Sequence, residues 1–392
     1  MAFNLSDRLK LIRMSEKKAP VQPTRKVVLE GWQDAGFMTL KKEIPCKEDI
    51  LLPEKIPESA GFLIKGINPC MAYTDLVFFD LETSGLSGGA GTIAFLAAFG
   101  RLVLKNKCCS NNVIYNLHIT QYLLLDYPGE STFIEALLAE IKPNSIIVSY
   151  NGKCFDSQIL KNRCLMNGIK PKDFCHLDLL YPARTLWRKL LGSCSQTSIE
   201  TGILGIGREE DVPGAMAPEI WFSFLKTGEI SRLLLICDHN IRDISGLASI
   251  FSVMLNILVD PAVACKMLKF DIETLSIRLR EINFLRYASE EGFPLAILEY
   301  ALIAMRSGNY DEGREWFIRA ASLDGIKSVQ IQALRSLAID SEWRQKNTRE
   351  AMDWTKKAMD LLPSNSLLRK DFERRIERLE RKISKLLHNS LN

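Results

Sequence analysis

Four consecutive apolar residues, Leu76 to Phe79, run directly into Asp80, and Glu82 follows two positions later. A short apolar run bounded by turn residues predicts a buried strand. Alternate residues of a strand share a face. Asp80 and Glu82 are therefore predicted side by side, at the end of a strand that belongs in a core. Two carboxylates so placed repel unless something positive lies between them, and a divalent metal ion is the usual answer. A bare Asp-x-Glu is common, arising by chance about once in a chain of this size. The Thr83-Ser84-Gly85 turn that follows strengthens the pattern, and acids elsewhere must decide it.

The 392 residues suffice for two or three domains, each with its own core. Apolar and charged fractions of 47% and 25% are those of an ordinary globular protein. No apolar run approaches the roughly 18 residues of a membrane span. The longest, Ala248 to Val259, is interrupted by Asn256, so no membrane partner is expected. The first residues carry no apolar secretion signal, because Leu11-Ile12 is flanked by Lys10 and Arg13. The ten cysteines fall between Cys46 and Cys265 without a Cys-x-x-Cys pair. That spacing suggests free thiols in a reducing cytoplasm rather than a zinc site. The overall charge of +4 is uneven: residues 1–26 carry +5, residues 365–392 carry +4, and the body carries −5. An acidic centre with basic ends is compatible with phosphate binding, although basic ends also simply aid solubility.

Residues 1–75 are predicted to form a partly extended N-terminal arm. Asn4 or Ser6 can cap a short helix built on Leu5, Leu9 and Ile12, and prolines at 20, 23, 45, 53, 57 and 69 favour extended chain. Residues 76–260 form an α/β unit. Its predicted strands are Leu76–Asp80, Thr92–Phe99, Val113–Ile119, Ser145–Tyr150 and His176–Leu180. Helices are predicted at Ser131–Ile141, Phe155–Asn167 and Ile230–Leu258. Three meandering strands, then a helix, strand, helix, strand and helix is the order of a ribonuclease H-like mixed sheet flanked by helices. Residues 268–392 are predicted all-helical. Within them, 309–324 aligns with 347–362 at an offset of 38, pairing Asn309 with Asn347, Trp316 with Trp354, Ala320 with Ala358, and Leu323 with Leu361. This period slightly exceeds that of a tetratricopeptide repeat, and two degenerate units of that kind are expected. Such units either bind a protein partner or pack on the neighbouring domain. The last segment places Leu368, Phe372, Ile376, Leu379, Ile383 and Leu386 on one stripe, which predicts docking onto the preceding helices.

Two further positions complete an acidic set. After the strand ending at Tyr150, the Asn151-Gly152 turn leads to Phe155 and to Asp156, in the first turn of a helix. Farther along, His239 and Asp243 are four apart and share a helix face, whose mostly apolar neighbours turn it inward.

Asp-x-Glu on a first strand, Asn-Gly-x-x-Phe-Asp after a later strand, and His-x-x-x-Asp on a helix resemble the three motifs of the DEDD, or DnaQ-like, exonuclease superfamily. The resemblance is closer still to YprB-like ribonuclease H-like proteins. The similarity extends to the glycine stretch 85–100, to His-Asn-x-x-Asp at 239–243, and to the segments 176–187 and 208–221. The resemblance implies a metal-dependent nuclease, acting on DNA or RNA from the 3′ end. It implies that Asp80, Glu82, Asp156 and Asp243 hold two Mg2+ or Mn2+ ions, with His239 taking the proton from the attacking water. Thr83, Ser84, Asn151 and Phe155 would contact the substrate. Histidine-type members usually place the base five residues before the last aspartate, whereas here the spacing is four, so His239 either serves as base or only orients the water. Asp238 is the local alternative. A different class of function, a catalytically silent nucleic-acid-binding or scaffold protein on the same fold, is disfavoured because all four carboxylates are present.

Other features have plainer readings. The glycine run 87–91 is no P-loop, because no Gly-Lys-Ser/Thr follows. Thr83 and Ser84 serve equally well to cap a turn. Asp178 fits a helix cap or a supporting place behind the metal ligands. Arg184, Arg188 and Arg208 suit phosphate but are also ordinary surface arginines. Trp187 and Trp221 suit base stacking but pack in cores by default.

Overall fold

The computed structural model describes residues 29–85, 91–107, 112–207 and 212–389. The helix expected near Asn4, most of the glycine run, and Arg208 lie outside the described residues. A seven-stranded sheet comprises β1 (Gln33–Asp34), β2 (Thr39–Pro53), β3 (Leu76–Thr83), β4 (Ala94–Lys107), β5 (Asn112–Leu124), β6 (Ile146–Ser149) and β7 (Cys175–Asp178). Their spatial order is β1-β2-β5-β4-β3-β6-β7. The pairs from β1 to β3 are antiparallel, while β6 lies parallel to β3 and β7 parallel to β6. This is the expected ribonuclease H-like mixed sheet, with β3 where its antiparallel and parallel parts meet.

The sheet is flanked by α1 (Glu130–Glu140), α2 (Asp156–Met166), α3 (Leu180–Leu191), α4 (Ala217–Thr227) and the long α5 (Ser231–Val259). Alternation along β3 sorts its side chains. Leu76 and Phe78 join one core with Ile244, Leu247 and Phe251 of α5, whereas Val77, Phe79 and Leu81 join a second core with α1, α2 and α4. Asp80 and Glu82 continue the first set, so the strand's period aims both carboxylates toward α5. By length and composition α5 is apolar enough to cross a membrane, but 61% of its most apolar window is buried in the fold. It packs across β2, β3, β4 and β5 as the core helix.

The N-terminal arm is the main departure from the sequence reading. Residues 39–53 form β2, a full strand paired with β5 from Thr39↔Leu124 to Pro53↔Asn112. Pro45 lacks an N–H for a second neighbour. It is tolerated because β1 covers β2 only at Leu40 and Lys41, leaving an edge at Pro45, where the register shifts between Pro45 and Asp49. β4 and β5 also run beyond the predicted Phe99 and Ile119. Along β5, buried and less buried residues alternate as an antiparallel strand requires.

Helices follow throughout the C-terminal region: α6 (Ile272–Leu279), α7 (Ile282–Glu290), α8 (Pro294–Arg306), α9 (Tyr310–Ser322), α10 (Lys327–Trp343), α11 (Thr348–Asp360) and α12 (Arg369–Asn389). From α7 onward each packs on the next. α9 and α11 begin and end 38 residues apart, and Ala320 and Ala358 are both fully buried. α12 docks as its stripe predicts, with Phe372 beside Leu334 and Leu362, and Leu379 beside Ala351 and Met352. Phe270, Leu275 and Phe284 join the core of the sheet domain. Trp187 Nε1 donates to the Lys269 carbonyl, and Leu186 accepts from Asp271 N–H at 2.7 Å. The helical region is thus seated on the α/β domain.

Candidate metal centre

Asp80, Glu82, Thr83, Asn151, Phe155, Asp156, Gly214, His239 and Asp243 line one cleft of about 260 Å³. Segments separated by more than 150 residues meet there because of the sheet register. Phe78 pairs with Val148 across the parallel β3–β6 ladder. The chain leaving β6 therefore turns beside Asp80 and enters α2 at Asp156.

That turn is held from several sides. Asn151 adopts φ 64°, a left-handed conformation that asparagine tolerates. Its N–H and that of Lys153 donate to Asp178, at 2.9 and 3.2 Å. Asp178 also accepts from Leu180 N–H at the start of α3, so one carboxylate ties the turn to the beginning of that helix. A Cβ at Gly152 would lie 2.6 Å from both Asp156 Oδ2 and Ser149 Oγ, so only glycine lets the turn close over the carboxylate. His176 ties β6 to α2, its Nε2 meeting Ser149 Oγ at 2.7 Å and its Nδ1 meeting Ser157 Oγ at 2.9 Å. Burial lowers its pKa to about 4, against the pull of Asp178, which keeps the imidazole neutral.

From the opposite wall, α5 presents His239 and Asp243, with His239 Nε2 at 3.3 Å from Asp243 Oδ2. Ligand atoms of Glu82, His239 and Asp243 all lie within 4.8 Å of one another. The four-residue spacing thus brings His239 into the cleft. The alternative, Asp238, faces solvent. A Cβ at Gly214 would stand 3.1 Å from His239 Nε2, so the chain before α4 closes over the histidine.

The electrostatics are those of crowded like charges. Burial, then repulsion from Asp243, Asp156 and Glu82, raises the Asp80 pKa well above the carboxylate range, and a hydrogen bond from Asn240 only partly opposes this. Burial, with Asp178 adding to it, pushes Asp156 up to about 7. Asn240 Nδ2 donates to Asp80 Oδ2 at 2.8 Å, and Gln121 Nε2 donates to Asn240 Oδ1 at 3.0 Å. Both amides are fully buried. This Gln121–Asn240–Asp80 relay was missed from sequence; the only signal was Asn240 beside His239. An all-oxygen carboxylate cluster with raised pKa values fits a hard divalent cation, which would offset the repulsion that the surrounding side chains leave in place.

Other predicted residues have different places. Thr83 lines the cleft while its hydroxyl donates to the Gly85 carbonyl, and Ser84 Oγ accepts from Ile93 N–H; both side chains secure the turn. Trp187 and Trp221 are fully buried, Trp221 stacked 5.1 Å from Phe95, so neither presents a face to a base. Arg184 and Arg188 are exposed on α3. The seven cysteines with described side chains are free.

Residues 77–255 match the family described as the RNase H superfamily. The chain is 37% identical over 182 residues to an uncharacterized protein, YprB, of Bacillus subtilis strain 168. That match covers 45% of this chain and 41% of the relative's length. Over residues 77–255 the chain is similar to ribonuclease H superfamily proteins, and Glu82, His239 and Asp243 form a carboxylate and histidine group suited to a metal ion.

Proposed function

We propose that the chain is a metal-dependent nuclease, probing DNA or RNA ends as a 3′–5′ exonuclease of the DEDD type. The observation that carries this reading is the convergence of Asp80, Glu82, Asp156 and Asp243, from three separate motifs, on one cleft with His239. The carboxylates would hold Mg2+ or Mn2+. When bound, such ions supply Lewis-acid stabilisation of phosphoryl charge and acidify a water.

The residues' own tasks follow from their contacts. Asn240, fixed by Gln121, keeps Asp80 oriented; Asp178 and His176 hold the turn and helix that carry Asp156. His239 Nε2 takes the proton from the attacking water. The water oxygen bonds to phosphorus, the bond to the 3′ oxygen breaks, and the departing oxygen is protonated from solvent. Asn151, Phe155 and Thr83, which line the cleft, meet the terminal nucleotide, and Ser84 holds the turn beside them. The helical region is read as two degenerate tetratricopeptide-like units, and a cytoplasmic location suits the free thiols.

Cleavage of 3′- and 5′-labelled DNA and RNA oligonucleotides in Mg2+ or Mn2+ tests this. Stepwise shortening from the 3′ end is expected, and Asp80→Ala abolishes it. No cleavage of any single-stranded or duplex substrate by wild type would sink the reading in favour of a silent binding protein. Internal cuts in end-blocked substrates would replace exonuclease by endonuclease.

A further inference from the structure

The positive charge of the C-terminal region is arranged on one side of α12. Lys370, Arg374, Arg378, Arg381 and Lys385 follow one another at spacings of four, four, three and four, and all are exposed. At 1.5 Å per residue they span about 22 Å on one helix face. The face opposite is the apolar stripe docked on α10 and α11. Glu373, Glu377 and Glu380 lie on the other flank, and Asp371, near the start of the helix, is the acid that interrupts the basic arc.

The local charge is not balanced from below. Glu342 of α10 is a buried acid under this stretch, accepting from Arg378 Nη2 and Lys382 Nζ, each at 2.7 Å. Arg375 Nη1 is buried without a hydrogen-bond partner among the described residues. Burial, and the neighbouring cations Arg378 and Arg335, lower its pKa although Glu342 opposes them. An aromatic platform borders the stripe: Trp343 is 63% exposed, with Lys382 Nζ 4.6 Å from its ring centroid.

We propose that this face of α12, with Trp343 at its edge, grips the backbone of single-stranded nucleic acid and stacks one base on the indole. The choice of polyanion rests on the nuclease reading of the cleft. A row of cations on a rigid, docked helix neutralises successive phosphates, and an exposed indole beside it offers the stacking surface that single-strand binders use. A lipid surface fits less well. An interfacial helix buries its apolar face in the membrane, and here that face is already packed against the protein. The surface would hold a strand whose end is presented elsewhere, so it governs affinity and not the chemical step.

The test measures binding of a fluorescent 20-nucleotide single strand by the full chain in EDTA, where no cleavage occurs. Replacing Lys370, Arg374, Arg381 and Lys385 together by Ser should weaken binding at least tenfold near 0.1 M salt. It should also reduce the slope of log affinity against log salt by about three, at roughly 0.7 per lost phosphate contact. Trp343→Ala should weaken binding about fivefold or more. The melting temperature of each variant confirms folding. Hydrolysis of bis(p-nitrophenyl) phosphate, too small to reach α12, should be unchanged. Wild-type affinity and salt slope in the fourfold variant would overturn the proposal, as would binding to phosphatidylserine vesicles with none to the oligonucleotide. Hydrolysis without an α12 effect removes this surface alone; an α12 effect without hydrolysis removes the nuclease reading alone.

Discussion

Two buried acidic groups of this molecule are built on opposite principles. In the helical region Asp340 is almost fully buried, yet it accepts from Arg314 at 3.0 Å and from Arg344 at 2.6 Å. Burial pushes Glu342 up, but hydrogen bonds from Arg378 and Lys382 outweigh it and hold the carboxyl below its ordinary range. In the cleft, burial and then neighbouring carboxylates push Asp80 and Asp156 the other way, and Asp80 has the Asn240 amide as donor where Asp340 has two arginines. Paired acids lock helices together, whereas crowded acids are costly to the fold and need a cation from outside. The difference separates acids kept for structure from acids kept for chemistry.

The largest expected effect tests that contrast directly. Asp80→Ala or Asp243→Ala should lower any nuclease rate by about a thousandfold, yet leave the melting temperature in chelator unchanged or higher, because repulsion is removed. Asp340→Ala should instead cost about 3 kcal/mol in chemical denaturation, since it strands two arginines, and leave the specific activity of the folded fraction intact. A destabilised Asp80→Ala would break the comparison.

The second prediction concerns pH. The folded pKa of Asp156 is raised, to about 7. Its contribution is therefore present below the unfolded value of about 4 and lost as pH rises through 7. His176 runs the other way. Its folded pKa is lowered to about 4, so its contribution is present above about 6.5 and lost as pH falls through 4. The two oppose each other between pH 4 and 6.5. In chelator, His176→Gln should expose the fall of melting temperature with rising pH, and Asp156→Asn should expose the rise. Added Mn2+ should raise the wild-type melting temperature most at pH 8. An unchanged pH profile in both variants would refute the assignment.

Smaller effects belong to the amide relay. Asn240→Ala or Gln121→Ala should weaken metal affinity or activity by about 10- to 100-fold, read by Mn2+ titration of the melting temperature. Ser or Thr at Asn240, if it restores the donor to Asp80, should recover part of the loss.

Much of the cleft was legible because its motifs are local. Asp80 and Glu82 follow the strand period, His239 and Asp243 follow the helix period, and Asp156 follows a turn. What escaped is long-range. Gln121 meets Asn240 across 119 positions through the β5–α5 packing, and no local pattern marks such a pair. Gly214 reaches His239 from a segment without regular periodicity. The strand β2 was hidden by Pro45 and Pro53, which argue for loop until the edge position that tolerates them is known. β7 ends at Asp178 and α3 begins at Leu180, where Asp178 accepts the Leu180 N–H, a contact that apolar content does not mark.

The long helix α5 does two jobs at a fixed separation. Its first half carries His239 and Asp243, while farther along Ser252 Oγ and Asn256 Nδ2 donate to the Leu51 carbonyl of β2. One residue inserted between Asp243 and Ser252 would rotate one half against the other by about 100°. Either the cleft or the clasp on β2 would then face the wrong way. An insertion that a surface loop would absorb therefore costs this helix one of its two contacts.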